Sequence, residues 1–213
     1  PEDVDVEIVE KNFEGCNIVK TEGKSLNLRQ IIYTAKSIPA SKNFNYHPGY
    51  YRTTPYVLFF IKSATFNNEK KNLLSNATDL YSWYHSLILS MKSSNDSLVP
   101  VVKEITKDCK TELDKVKSIY NWVQDNIRYI AFEYGLAGFQ PEEAMNVYKY
   151  RYGDCRGMAN LLCEMLKACG IDARRTWIGT REIPFTYSET PSLCVDNHMI
   201  CTVYSGGKKF FLD

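Results

Sequence analysis

YGDCRGMANLLCEMLKACG, Tyr152 to Gly170, is the stretch from which the rest of the chain is read. Met158, Leu161, Leu162, Met165 and Leu166 recur at helical spacing, so one apolar stripe turns toward a core. Gly153 and Asp154 supply a turn and a capping carboxylate, and Gly170 before Ile171 reads as a Schellman-type stop. The predicted helix therefore begins at Cys155. Unpaired N–H groups in a first helical turn, together with the helix dipole, favour a thiolate over a thiol. Taken alone, a free cysteine more often fills a small buried apolar site. Cys155 needs companions before it counts as a nucleophile.

A nucleophilic thiol requires a base within hydrogen-bond reach and a third group to orient that base. The chain has three histidines. His47 precedes Pro48 in a turn-like run, and His85 lies in a helical segment, off its apolar face. His198 opens the alternating stretch NHMICTVY, where His198, Ile200, Thr202 and Tyr204 share one face. Ser205-Gly206-Gly207-Lys208 then forms a hairpin turn into KKFFLD. A two- or four-residue loop pairs Tyr204 with Lys209 and Ile200 with Asp213, which puts Asp213 on the face of His198. Such a same-face diagonal, about 7–8 Å between backbones, is within reach of an imidazole and a carboxylate. A three-residue loop would set them on opposite faces.

On these residues, GDCRGMANLLCEMLKACGIDAR, WIGTR, NHMICTVY and FFLD, the sequence from about Leu80 to Asp213 resembles the transglutaminase-like superfamily, a branch of the papain-like cysteine fold. It is most similar to the multidomain bacterial members of the Bacteroidetes type. The resemblance implies an α+β fold: a papain-like transglutaminase core, its nucleophile helix packed on an antiparallel sheet, preceded by a β-rich segment. It implies Cys155 as nucleophile, His198 as base and Asp213 as orienting carboxylate. It also implies a core that continues past Asp213, flanking domains of a longer protein, and an extracytoplasmic location at the periplasm or cell surface. Asn197 beside His198 matches the family's Asn-His pair and holds the strand edge. Papain-like enzymes add a side-chain donor to the nucleophile's own N–H in an oxyanion hole, and transglutaminases use an aromatic N–H from the segment ahead of the cysteine. Gln140 is the candidate here. The alternative is a loop glutamine bonded to nearby backbone.

The 213 residues carry a net charge of +1, so no global field argues for nucleic acid or an anionic membrane. No apolar run approaches the ~20 residues of a membrane span. Seven cysteines without a CxxC or regular spacing fit neither a disulfide framework nor a zinc knuckle. Most are expected as buried free thiols, with Cys194 and Cys201 as one candidate pair. Residues 1–76 read as a β-rich segment, part of a larger sandwich or a sheet that pairs with the core, and residues 77–213 as the core. VDVEIV, LRQIIYTAK and YVLFFIKSA are strand-like, with turns at Glu14-Gly15, Glu22-Gly23 and Pro48-Gly49. The tyrosine-rich run from Ser41 to Tyr56 is a loop packed on a neighbouring domain or a binding surface.

Helices follow over Leu80–Met91, after Pro100, and from a Thr111/Asp114 capping box to Ile127. A short one starts at Pro141, with Glu142 and Glu143 in its first turn. ARRTWIGT is a strand, and the long loop from Arg181 to Asp196 is expected to overhang a cleft. Arg151, Arg156, Arg174, Arg175 and Arg181 form either a surface for an acidic substrate or, more simply, a solvated face.

The chemistry expected is acyl transfer through a thioester: Cys155 attacks an amide carbonyl, His198 moves the proton, and Asp213 fixes the imidazole tautomer. Hydrolysis of a peptide or protein amide is the first expectation and glutamine cross-linking the second. A non-catalytic peptide- or protein-binding module on the same fold is the alternative from another class. The reaction requires no metal or other cofactor.

Overall fold

In the computed structural model, residues 3–25, 28–38, 40, 49–91, 96–131 and 133–213 are described. Residues 41–48, the first half of the tyrosine-rich run with His47 and Pro48, lie outside them. The chain divides into two units, Pro1–Ala77 with Arg181–Ser192, and Thr78–Thr180 with Leu193–Asp213.

The first unit contains β1 (Asp3–Lys11), β2 (Ile18–Ser25), β3 (Leu28–Ala35), one helical turn α1 (Tyr50–Thr53), β4 (Tyr56–Phe66) and β5 (Glu69–Asn72). The aromatic and β-branched run of β4 makes it the middle strand, flanked by β1 and β5, while β2 and β3 form a separate antiparallel pair. Glu22 and Gly23, expected as a turn, lie inside β2 opposite Ile31 and Gln30. β2 and β5 escape a pattern reading because IVKTEGKS and EKKN are too polar to show an apolar face. The expected long loop is divided at Ser192. Its first part belongs to this unit because the Arg52 guanidinium donates to the carbonyls of Arg181 (3.0 Å) and Ile183 (3.2 Å). Phe185 also stands edge-on to Tyr56, 6.0 Å between ring centres.

The second unit runs α2 (Ala77–Leu89), α3 (Val99–Ile105), α4 (Glu112–Asn126), β6 (Arg128–Tyr129), α5 (Ala144–Tyr150), β7 (Tyr152–Gly153), α6 (Cys155–Ala168), β8 (Asp172–Ile178), β9 (His198–Ser205) and β10 (Lys208–Leu212). Local signals set several boundaries. Thr111 and Asp114 form the capping box of α4. Asp154 accepts the Gly157 N–H at the start of α6. Ile171 and Gly170 donate to Leu166 and Lys167 at its end, with Gly170 at φ +78° completing the Schellman geometry. α5 starts at Ala144 rather than Pro141, and the Glu142 carboxylate instead accepts from the Glu143 N–H and the Asn146 amide.

α6 packs against β8, β9, α4 and α5, and Cys155–Gly157 and Ala159–Leu166 are buried. Leu161, Met165 and Leu166 are fully enclosed, with Ile119 of α4 and Val203 of β9 in the same core. Each such side chain contributes about 1.5–3 kcal/mol on burial. A single apolar stripe is therefore too narrow a description of α6. Its polar residues Asn160 and Glu164 are also enclosed, because β8 brings them a partner. Arg175 Nε donates to Asn160 Oδ1 (2.6 Å) and Arg175 Nη2 to Glu164 Oε1 (2.7 Å). The expected basic face consequently dissolves into separate pairs. Arg174 binds Asp172, Arg156 binds Asp154, and Arg151 lies over the rings of Trp122 and Tyr148.

The sheet order is β10-β9-β8, antiparallel throughout. The β9–β10 turn is the two-residue Gly206-Gly207, both at positive φ, which an L-residue adopts with strain. Tyr204 pairs with Lys209 as the two-residue register requires, and the ladder ends at Leu212 opposite Cys201. None of the seven cysteines is in a disulfide. Cys201 Sγ lies 3.2 Å from Cys163 Sγ on α6, so the candidate pairing with Cys194 is not formed. The fold is α+β, with the helix carrying Cys155 packed on an antiparallel sheet and a β-rich segment before it.

Candidate active site

Cys155 occupies the first position of α6 and is 6% exposed, packed with Ala159, Met199 and Trp177. The helix start is held by two devices. β6 and β7 pair in parallel, Tyr129 opposite Gly153, so the residues just before α6 are fixed to the end of α4. Arg156, 4% exposed, donates to the Gly138 carbonyl (2.6 Å) and to the Asp154 carboxylate, with Glu133 3.6 Å away. Burial pushes the Cys155 thiol above its ordinary range. The Met199 backbone N–H and the Arg156 cation pull the other way, while Asp154 and Glu133 add to the rise. The dipole argument alone favours the thiolate. In this enclosed position desolvation wins, so the resting group is a thiol that needs a base.

His198 begins β9, and its alignment is fixed from the preceding residue. Asn197 accepts the Thr180 N–H at 2.9 Å, donates to Thr180 Oγ1 at 3.0 Å, and its own N–H bonds the Ile178 carbonyl. His198 Nε2 lies 2.7 Å from Asp213 Oδ1. A carboxylate only accepts, so Nε2 carries the hydrogen and the lone pair lies on Nδ1. Cys155, His198 and Asp213 line one pocket of about 180 Å³, whose walls include Val123, Met158 and Leu162. Tyr120, Gln124 and Tyr129 supply its other polar groups. Among the described residues, no three or more His, Cys, Asp or Glu side chains gather as a metal site.

A family described as the transglutaminase-like superfamily matches residues 100–211, more than half of the chain. The chain belongs to the transglutaminase-like superfamily. Among solved structures, the fold is similar to a candidate protease from Parabacteroides distasonis ATCC 8503, with a TM-score of 0.72 and 17% identity. That alignment covers 100% of this chain and 38% of the other, so this chain spans under two fifths of that protein. A candidate cysteine protease from Cytophaga hutchinsonii aligns with a TM-score of 0.47 and 16% identity, over 99% of this chain and 65% of that one. No curated protein matches the sequence.

Within this superfamily core, the residues singled out from sequence separate into two groups. Cys155, His198 and Asp213 come together. Gln140 does not join them: its amide nitrogen donates to the Leu87 carbonyl (3.4 Å) and Ser90 Oγ (3.2 Å) at the end of α2. It borders a different depression, with Met91, Glu142 and Asn146. A loop glutamine satisfied by nearby backbone was the competing description of Gln140, and an amide committed to α2 is not free to point at a reacting carbonyl. Tyr129 was not singled out, although it lines the pocket. Burial, and then the neighbouring Cys155, Glu133 and Asp154, raise its phenol and keep it a hydrogen-bond donor. Its only sequence signal was its place at the end of a helix, which is too weak to select one tyrosine among 15. His85 stacks on Tyr81 and is not among the residues that line the pocket.

Proposed function

We propose that this superfamily member is a cysteine-dependent hydrolase of peptide-like amides, working through a thioester. The carrying observation is the His198–Asp213 hydrogen bond of 2.7 Å in the same pocket as the N-terminal cysteine of α6. In this reading, Cys155 Sγ attacks the amide carbonyl carbon as His198 Nδ1 takes the thiol proton. The tetrahedral oxyanion collapses, the C–N bond breaks, and the imidazolium gives its proton to the leaving amine. Water, deprotonated by His198, then attacks the thioester and releases the acid and the free thiol. Asp213 holds the ring with Nε2–H fixed and stabilises the imidazolium. The Tyr129 hydroxyl, kept protonated beside Cys155, is the oxyanion donor in place of Gln140.

Superfamily membership supports a cysteine hydrolase or acyltransferase in general, and hydrolysis rather than amine transfer is our choice between the two. The test follows dye-labelled casein and the incorporation of dansylcadaverine into casein, alongside the pH dependence of Cys155 alkylation by iodoacetamide. Peptide release without amine incorporation is expected, lost in Cys155→Ala, with alkylation near neutral pH that depends on His198. Activity retained in Cys155→Ala would sink the assignment, and efficient amine incorporation would make the protein a cross-linking enzyme instead.

A further inference from the structure

Asp213 is joined to His198 through its carboxylate. A second element reaches it from α4. Tyr120 Oη donates to the Asp213 carbonyl at 2.5 Å, and Gln124 Nε2 donates to Tyr120 Oη at 2.8 Å. Tyr120 and Gln124 are four residues apart, hence stacked on one face of α4, and both line the pocket of Cys155 and His198. The amide occupies a lone pair of the phenol, so the hydroxyl hydrogen is directed at the carbonyl. α4 is a firm base for this tether, with its N-terminus closed by a capping box and Ile119 and Val123 in the core.

We infer that Tyr120 is a positioning residue, fixing the main chain of Asp213 so that the carboxylate stays on His198, with Gln124 aiming its hydroxyl. This inference rests on the acyl-transfer reading of Cys155 and His198. The perturbation is small in shape: Tyr120→Phe keeps the ring on the core and removes only the donor.

The experiment measures second-order alkylation of Cys155 by iodoacetamide at pH 7, followed by peptide mass spectrometry. It compares the wild type with Tyr120→Phe, Asp213→Ala, their double variant and His198→Ala. Tyr120→Phe is expected to slow alkylation about fivefold, the scale of one lost neutral hydrogen bond. Asp213→Ala should slow it more. In the Asp213→Ala background Tyr120→Phe should change nothing further, because no carboxylate remains to be positioned. Gln124→Leu should act in the same direction, more weakly, and have no effect in the Tyr120→Phe background. A Tyr120→Phe rate within twofold of wild type, beside a slow His198→Ala, would overturn the inference alone. So would an equal fivefold loss in the Asp213→Ala background, which marks a merely structural hydroxyl. Wild-type alkylation in His198→Ala would overturn the acyl-transfer reading and this inference with it.

Discussion

Replacing Arg175 by methionine isolates what holds the cysteine helix to the sheet. Glu164 is 8% exposed, and its Oε1 lies 2.7 Å from Arg175 and 3.2 Å from Lys167, which is itself 38% exposed. Asn160 is fully buried, and its Oδ1 accepts from Arg175 Nε. Arg175→Met therefore leaves a buried carboxylate with one half-solvated cation and a buried amide oxygen with its donor removed. Removing one partner of a buried ion pair costs about 3–5 kcal/mol, and a stranded acceptor about 1–3 kcal/mol. Lys167 offsets part of the first cost, so the expected loss is roughly 3–5 kcal/mol in all. Arg175→Met with Glu164→Leu should cost less than Arg175→Met alone, about 1–2 kcal/mol, because only the Asn160 acceptor stays unsatisfied. Trp83, Trp122 and Trp177 are the protein's three tryptophans, and all lie in the second unit. Urea unfolding followed by tryptophan fluorescence thus reports on this unit selectively. A loss under about 1 kcal/mol in Arg175→Met, or a double variant that costs the sum of its singles, would refute the reasoning.

Two further outcomes follow from the same geometry. Asp154 raises the Cys155 thiol by its charge, while Asp154→Asn keeps an acceptor for the Gly157 N–H. The neutral side chain should therefore let Cys155 ionise at lower pH, and the alkylation profile should move toward acid; an unchanged or more basic profile contradicts this. Cys163 and Cys201 are enclosed and in contact, with both thiols free. Native peptide mapping should find them unlabelled until urea exposes them, and prompt labelling in the folded protein would contradict their placement.

The features legible in the sequence are those whose cause is local. Asp154 and Gly170 mark the ends of α6 because cap and stop are decided within a few residues. The Gly206-Gly207 turn fixes strand register, and register alone puts Asp213 on the side of His198. The illegible features depend on partners far along the chain. Arg175 looked solvated because nothing near it in sequence announces that Asn160 and Glu164 face it from α6. Gln140 looked available because its acceptors, Leu87 and Ser90, lie some 50 residues earlier. Tyr120 reads as one of the apolar positions of its helix, and nothing local announces the Asp213 main-chain oxygen that meets its hydroxyl from 93 residues later. The cysteine's titration was misjudged for a different reason: a helix dipole can be inferred from sequence, whereas the desolvation that opposes it depends on Met199 and Trp177 closing over the sulfur.

The first unit is discontinuous, made of Pro1–Ala77 and Arg181–Ser192. During synthesis its first part leaves the ribosome well before its second. The 115 residues from Thr78 to Ser192 take roughly 6–23 s to add at ordinary rates. For that interval Tyr51, Tyr56 and Arg52 are without Phe185 and the carbonyls of Arg181 and Ile183. Dissection of the protein meets the same constraint. A fragment ending at Ala77 lacks a piece of its own unit, and one beginning at Thr78 carries a twelve-residue orphan between β8 and β9.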